Sequence, residues 1–188
     1  AARQADRTPS HANRFLVLWA LILAGFVAYM AAGFVALYLA PVTESGLRCA
    51  RPEMMALSNL LRNPVIRPER MEALVEGRRI RRSLKDLGRV VAIARLSDPD
   101  APTRWPRAWV AALRARYSSR WRDLASGAGG GLLALLEDQT DLEEACLTAN
   151  GGLLASEPLT PDQFRRVARR VVQDAIEPLA RAGREEEA

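Results

Sequence analysis

The residue types that most often perform acid–base or nucleophilic chemistry are scarce in this sequence. Histidine, the usual proton carrier at neutral pH, occurs once, as His11. This position is far from both cysteines and excludes Ser-His-Asp and Cys-His arrangements, histidine-ligated zinc and bis-histidine haem from the rest of the chain. We therefore predict a protein that is not an enzyme and has neither a metal nor another cofactor.

Carboxylates are the remaining residues that could catalyse a reaction. One cluster lies late in the chain and contains Glu137, Asp138, Asp141, Glu143 and Glu144. Paired carboxylates can act as a general acid and a general base, but such a cluster is also typical of a solvated surface rich in helix caps. A carboxylate-dependent enzyme is the third of three functional hypotheses.

The two cysteines, Cys49 and Cys146, match no metal, haem or CxxC spacing. A disulfide between them would close a loop of about 100 residues and stabilise the fold by about 4 to 5 kcal/mol at most. The alternative is a pair of buried free thiols. Both alternatives stay open at the level of the sequence.

A glycine cluster at Gly127, Gly129, Gly130 and Gly131 suggests a phosphate-binding loop. No strand is predicted before it, the GxxxxGK[ST] pattern is absent, and Leu132 occupies the final glycine of a GxGxxG motif. The cluster is therefore interpreted as a hinge between helices.

A long uncharged segment precedes these residues. It runs from Phe15 to Ala40, and 26 residues of helix span about 39 Å, enough for a hydrocarbon core of about 30 Å. A signal peptide has an apolar core of only about 7 to 15 residues. The sequence predicts a short basic tail at 1–14 and a transmembrane helix at 15–41, with Trp19 and Tyr38 at the two interfaces.

Small residues recur at every fourth position of this helix, with glycines on the adjacent line. The predicted helix-packing face consists of Ala20, Ala24, Gly25, Ala28, Tyr29, Ala32, Gly33 and Ala36. Such faces let helix backbones approach closely in lipid, and a phenol near the midplane favours a hydrogen-bonding partner. The alternative is the chance regularity of an alanine-rich helix.

The remaining chain, residues 42–183, shows helical punctuation and few strand signals. We predict an all-α fold: the N-terminal transmembrane helix, an extramembrane domain of about five helices and a charged tail at 184–188. Helices are predicted to start near Pro52 and near Pro68, the second running to about Leu96.

Three further helices complete the predicted domain. One runs from Pro106 to about Ala125, and the next is capped by Asp141 and contains Cys146. The last begins with a capping box at Thr160, Pro161 and Gln163. Pro178 is predicted to end or kink it.

An aromatic stripe marks the helix predicted from Pro106. Trp105, Trp109, Tyr117 and Trp121 are flanked by arginines, and these residue types are enriched where proteins bind each other. The four aromatic residues are the predicted partner-binding site. Packing in the core is nevertheless the default interpretation of such a stripe.

The charge pattern bears on partners and topology. The formal net charge of +5 is spread along the chain, which argues against nucleic acid as a partner. Arg3, Arg7 and Arg14 precede the predicted membrane helix, so its N-terminus is predicted to be cytoplasmic and the domain to lie on the opposite side. The predicted location is the inner membrane of a bacterium or organelle.

Two non-catalytic functions agree with these features. The first is an accessory or structural subunit of a larger integral-membrane complex, whose partners are other membrane subunits and the bilayer itself. It would dock through the small-residue helix face and the aromatic helix. The alternative is a membrane-anchored helical sensor or adaptor that binds a soluble partner.

Overall fold

The computed structural model describes residues 50–184 of the chain. The predicted transmembrane helix at 15–41, its packing face and Cys49 lie outside the described residues and stay predictions. Within residues 50–184, none of the helices combines the length and the apolar character needed to cross a bilayer.

The described part of the chain is helical, which confirms the predicted all-α class. Its α-helices are α1 (Pro52–Arg62), α2 (Arg82–Leu96), α3 (Ala101–Arg116), α4 (Trp121–Gly127), α5 (Gly130–Glu137), α6 (Gln139–Asn150), α7 (Pro161–Val171) and α8 (Glu177–Arg184). A π-helical turn, Val172–Ile176, joins α7 to α8. Two predicted helices are interrupted, Gly130–Glu137 forms a helix of its own and the π-helical turn divides the last predicted helix, so the helices are shorter and more numerous than the five predicted.

The first interruption lies between α1 and α2, where the predicted helix from Pro68 to Leu96 is wrong over its first half. The chain forms an extended hairpin there, with antiparallel bridges between Arg70 and Arg81 and between Val75 and Arg78. At its tip, Glu76 and Gly77 have φ values of 46° and 77°. Two positive φ values define the tight turn that favours glycine at its second position, so this turn replaces the helix.

The second interruption divides the helix predicted from Pro106 to Ala125. Helix α3 begins earlier, at Ala101, and Pro106 is accommodated within it. The helix ends at Arg116, and Tyr117 has the non-helical angles φ −133° and ψ 51°. A turn through Ser118 and Ser119 separates α3 from α4, and serine favours turns over helix interiors because its hydroxyl competes for backbone groups.

Helix α2 is the centre of the core. Leu84, Leu87, Val90 and Val91 are completely buried on it. It passes so close to α6 that a Cβ atom on Gly88 would lie 2.6 Å from the carbonyl oxygen of Ala145. A glycine is therefore required at this crossing, since any side chain would push the two helices apart.

The glycine cluster also serves close packing. A Cβ atom on Gly129 would lie 2.1 Å from Cγ2 of Ile176, and one on Gly131 would lie 2.1 Å from the carbonyl oxygen of Asn63. The start of α5 is thus pressed against the end of α1 and against the π-helical turn. These contacts show a tightly packed connection where the sequence predicted a hinge.

The predicted helix starts have mixed outcomes. The capping box of Thr160 and Gln163 at the start of α7 is confirmed. Asp138, rather than Asp141, caps α6, and its side chain accepts a hydrogen bond of 2.9 Å from the Asp141 N–H group. Pro178 does not end the last helix, because the preceding turn widens and the Glu177 N–H group donates to the carbonyl oxygen of Val172.

Candidate functional site

A cavity of about 430 Å³ opens between the end of α1, the hairpin and the first turns of α2. We call it the arginine cavity, and its lining residues are Arg62, Asn63, Arg67, Glu69, Arg70, Arg82, Ser83 and Asp86. Four guanidinium groups against two carboxylates leave a formal charge of +2 on this lining. An anion is the ligand that such a surface attracts.

The hairpin positions the arginines of this cavity. The Arg82 N–H group donates to the carbonyl oxygen of Glu69 over 2.8 Å, which aligns the two arms of the hairpin. At its base, the buried Ser83 hydroxyl accepts from the Arg67 N–H group over 3.2 Å and donates to the Arg67 carbonyl oxygen over 3.3 Å. Arg67 and Arg82 are therefore held beside each other, although 15 positions separate them in the sequence.

Asp86 supplies a buried carboxylate to the cavity, with a side chain that is only 1% exposed. Its Oδ2 atom accepts a hydrogen bond of 3.3 Å from Asn63 and lies 3.7 Å from the Arg62 guanidinium. Its Oδ1 atom lies 3.5 Å from the Lys85 ammonium but accepts no hydrogen bond. A buried acceptor without a donor is uncommon in folded proteins.

Asn63 is held in place from two sides. Its Nδ2 atom donates to the carbonyl oxygen of Asn59 over 2.9 Å as well as to Asp86. Its own carbonyl oxygen lies against Gly131. Asn63 therefore joins α1, α2 and α5 beneath the cavity.

The four arginines of the cavity differ in their hydrogen bonds and ion pairs. Arg62 forms an ion pair with Asp86, and Arg70 donates to the carbonyl oxygen of Arg79. The guanidinium groups of Arg67 and Arg82 are exposed, and neither has a hydrogen bond or ion pair with another residue between 50 and 184. These two groups are free to bind a ligand.

Three of the four predicted partner-binding aromatics are buried. Trp105, Trp109 and Trp121 are 4%, 0% and 5% exposed, and the Trp109 indole N–H donates to the carbonyl oxygen of Glu53 over 2.7 Å. Only Tyr117, at 40%, is exposed, because α3 ends just before it. The structure thus places most of the aromatic stripe in the core, which was the default interpretation of such a stripe.

Arginines cover the edge of that aromatic cluster. The guanidinium carbons of Arg114 and Arg122 lie 4.5 Å and 5.1 Å from the centre of the Trp121 ring. These are cation–π distances. They explain the arginines beside the stripe as part of the packing of α3 and α4.

The carboxylate cluster at 137–144 makes structural contacts. Asp138 caps α6, Asp141 pairs with Arg81, and Glu143 accepts a hydrogen bond from Gln139. Among residues 50–184, no group of three or more histidine, cysteine, aspartate or glutamate side chains could hold a metal ion. The local contacts of this cluster therefore match those of a capped helix surface.

Cys146 is a free, buried thiol in α6, and its proposed disulfide partner, Cys49, lies outside the described residues. Its Sγ atom donates to the carbonyl oxygen of Leu159 over 3.4 Å. Burial raises the pKa of the Cys146 thiol, the Asn150 hydrogen bond lowers it, and the charge of Glu143 raises it. Since the raised pKa keeps the thiol protonated, Cys146 is a poor nucleophile at neutral pH.

Sequence reasoning missed the arginine cavity because it assigned residues 68–96 to one continuous helix. In a continuous helix the arginines at 78–89 form a solvated charged face. Two signals pointed the other way: the Glu76-Gly77 pair, which is typical of a tight turn, and Asp86 between the apolar residues Leu84 and Leu87.

Comparison with known proteins finds no protein-family model, no curated protein and no solved structure that matches this chain. Any functional proposal for this chain therefore rests on its own residues and their geometry.

Proposed function

We propose that residues 50–184 form a non-catalytic binding module that recognises an anionic group of its partner in the arginine cavity. In this proposal, the predicted transmembrane helix at 15–41 holds the module at a membrane. This is the adaptor or sensor function that the sequence offered as its alternative.

One observation carries the proposal. Among residues 50–184, the guanidinium groups of Arg67 and Arg82 have no hydrogen-bond or ion-pair partner, and both arginines line a cavity of positive formal charge. Arginine presents donors in a planar fork that matches carboxylate and phosphate oxygens, and it is weakly hydrated, so such a pair favours anion binding. Hydrogen bonds of the hairpin hold the backbones of the two arginines in place, so only their side chains must be ordered when a ligand binds.

The subunit function is the second candidate, and the small-residue pattern from Ala20 to Ala36 favours it. Its second docking element, the aromatic helix, loses support because Trp105, Trp109 and Trp121 are buried. If this chain is a subunit, its extramembrane contact is better served by the arginine cavity.

The proposal is tested on the tagged full chain, extracted in a detergent that contains no phosphate and isolated with its bound partners. We expect the double variant Arg67→Gln, Arg82→Gln to lose a partner that the wild-type chain retains. The control variant Arg166→Gln, Arg169→Gln removes two exposed arginines of α7 and should retain the partner. Equal recovery by the cavity variant and the control, measured by quantitative mass spectrometry, would refute the assignment to the cavity.

The two candidates are separated by a second variant of the same chain. Gly25→Leu, Gly33→Leu places bulk on the predicted helix-packing face. If the chain is a subunit, integral-membrane proteins that co-purify stoichiometrically with the wild type are lost in this variant. If it is an adaptor only, its partners depend on Arg67 and Arg82 and not on the two glycines.

A further inference from the structure

We propose that a second cavity, between α2 and the end of α6, binds the phosphate of an anionic phospholipid in the bilayer that anchors the chain. This α2–α6 cavity has a volume of about 210 Å³. It is lined by two basic residues of α2, Lys85 and Arg89, and by small or apolar residues of α2, α6 and the following turn. The inference rests on one part of the proposed function, the anchoring of the domain by the predicted helix at 15–41, and adds a lipid site to it.

The charge of the lining favours an anion, because two of its residues are basic and none is a carboxylate. Arg89 is half-buried, and its guanidinium has no hydrogen bond or ion pair with another residue between 50 and 184. The Lys85 ammonium lies 3.5 Å from Oδ1 of Asp86, so part of its charge is offset. A half-buried guanidinium without a counter-ion gains most from an anionic ligand, and Arg89 is therefore the expected phosphate contact.

The walls of the cavity favour an amphipathic ligand over a fully hydrated ion. Ala92 and Ala149 are buried, whereas Leu153 is 46% exposed. An inorganic anion would gain nothing from these apolar walls. A phospholipid can place its phosphate at Arg89 and bury the apolar atoms near its glycerol group against the alanines and Leu153.

A second exposed leucine lies beside this cavity. Val75 of the hairpin meets the turn that follows α6, with its Cγ1 atom 4.0 Å from the position of a Cβ atom on Gly151. Leu74, the residue before Val75, is 60% exposed. The hairpin tip and this turn thus present Leu74 and Leu153 near a cationic cavity. Exposed leucines combined with basic residues are typical of segments that lie in the interface of an anionic membrane.

The other charges of the hairpin tip do not reverse the sign of this surface. Two exposed carboxylates, Glu72 and Glu76, are balanced by two exposed arginines, Arg78 and Arg79. The basic lining of the α2–α6 cavity therefore sets the local charge, which complements the negative potential of a membrane that contains anionic lipids.

The length of the connecting chain favours the bilayer over a soluble partner. Residues 42–51 join the predicted membrane helix to α1, and ten fully extended residues span at most about 33 to 36 Å. The domain is therefore tethered close to the lipid headgroups, which act as a ligand at high effective concentration.

Photo-crosslinking of the full chain tests the inference in nanodiscs made of equal parts of phosphatidylcholine and phosphatidylglycerol. The probe is a photoreactive phosphatidylglycerol or a photoreactive phosphatidylcholine, each with the same diazirine near the glycerol group. Labelled peptides are quantified by mass spectrometry. We expect the phosphatidylglycerol probe to label residues 74–78 and 148–153 at least about fivefold more than the phosphatidylcholine probe, the attraction of one basic residue to an anionic surface.

Arg89→Gln tests the proposed phosphate contact and leaves no protein group unpaired, because the Arg89 guanidinium has no partner among residues 50–184. The preference for phosphatidylglycerol should fall by about fivefold or disappear in this variant. Arg89→Lys, which keeps the charge, should retain most of it. Arg166→Gln, which removes an exposed arginine of α7, should retain all of it. Circular dichroism reports whether the variants are folded, and the comparison of the two lipids on the wild-type chain is decisive if they are not.

The outcomes distinguish this inference from the proposed function. Equal labelling by the two probes, no labelling of 74–78 and 148–153, or an unchanged preference in a folded Arg89→Gln variant overturns the lipid site. Loss of a protein partner from Arg89→Gln without lipid labelling assigns the cavity to a protein and also overturns it. The arginine cavity is tested separately by partner recovery with Arg67→Gln, Arg82→Gln. Extraction of the chain from membranes by sodium carbonate would remove the anchor on which both proposals depend.

Discussion

At the scale of single residues, Cys146 and Asp86 show how environment determines behaviour. Cys146 is buried in α6 and donates to the carbonyl oxygen of Leu159, so its thiol has a structural role. Asp86 is buried as well, but its Oδ1 atom accepts no hydrogen bond from residues 50–184 and is paired by charge with Lys85. These two buried polar groups therefore differ in the hydrogen bonds that each atom makes.

The raised pKa of the Cys146 thiol predicts a pH-dependent stability. Above the ordinary thiol pKa, of about 8.5, the unfolded chain loses the proton while the folded chain still retains it. The contribution to stability is therefore complete below that pH and decreases as pH rises towards the folded-state pKa. We expect the free energy of unfolding, measured in urea with the full chain in detergent, to fall as the pH rises above the ordinary thiol pKa of about 8.5.

Cys146→Ala is the control for this experiment, because it removes the titrating group and leaves every other alkaline group in place. The pH dependence of the variant should be flatter than that of the wild type over the same range. Identical slopes for the two proteins would contradict a raised thiol pKa in the folded chain.

At the scale of elements, the hairpin at 67–81 decides whether the arginine cavity exists. It replaces two turns or more of a predicted helix, and its tip depends on a glycine with a φ of 77°. Because its backbone bonds align Glu69 with Arg82, the tip also contributes to the arrangement of the cavity.

Gly77→Ala is expected to destabilise the fold by about 1 to 2 kcal/mol, because a Cβ atom is strained at positive φ. Open space surrounds this position, so the strain is not confused with a steric clash. Gly127→Ala is the matched control: it also meets nothing within 4 Å, and it ends α4 without a positive φ. It should be neutral or stabilise by up to about 1 kcal/mol.

The measurement is urea-induced unfolding of the two variants and the wild type. Equal stabilities for Gly77→Ala and Gly127→Ala would mean that the tight turn at the hairpin tip is not formed. Anion titration of Gly77→Ala then reports whether the hairpin also holds the cavity in shape.

Helix α5 provides a second element-scale test. Gly131→Ala would place a Cβ atom 2.1 Å from the Asn63 carbonyl oxygen, so either α5 or the end of α1 must move. Overpacking of this kind costs about 1 to 3 kcal/mol. Because Asn63 is hydrogen-bonded to Asp86 in the cavity lining, we also expect weaker recovery of the anionic partner, whereas a flexible hinge at this position would tolerate the change in both measurements.

At the scale of the whole molecule, the aromatic stripe belongs to the core that joins α1, α3 and α4. Trp109 is completely buried and hydrogen-bonded to the backbone of Glu53, and it packs with Trp105 at a ring-centre distance of 5.5 Å. The binding surface that we propose for the described domain is then defined by charge and not by aromatic anchors.

Trp109→Ala is expected to destabilise the domain by about 3 to 5 kcal/mol, as for other buried large side chains. Tyr117→Ala, at an exposed position of the same stripe, should change the free energy of unfolding by less than about 0.5 kcal/mol. Thermal or urea unfolding measures both. A small effect of Trp109→Ala on stability with a large effect on partner recovery would contradict the assignment of this tryptophan to the core.

The sequence by itself determined the features that depend on residues a few positions apart. The capping box of Thr160 and Gln163 and the start of α1 at Pro52 were predictable, because helix caps act within a single turn. The all-α class followed from the same local signals.

Only the tertiary structure decided which of these elements meet. Residues that are distant in the sequence are joined by the hydrogen bond between Asn63 and Asp86 and by the one between Ser83 and Arg67. The buried Trp109 is likewise joined to Glu53 by a hydrogen bond. The same arginine is a solvated charge on an isolated helix, whereas in this fold it lines a cavity together with a second arginine and a buried carboxylate. Which of the two it becomes depends on the hairpin turn and on the packing around it, because local propensity does not determine what lies opposite a side chain.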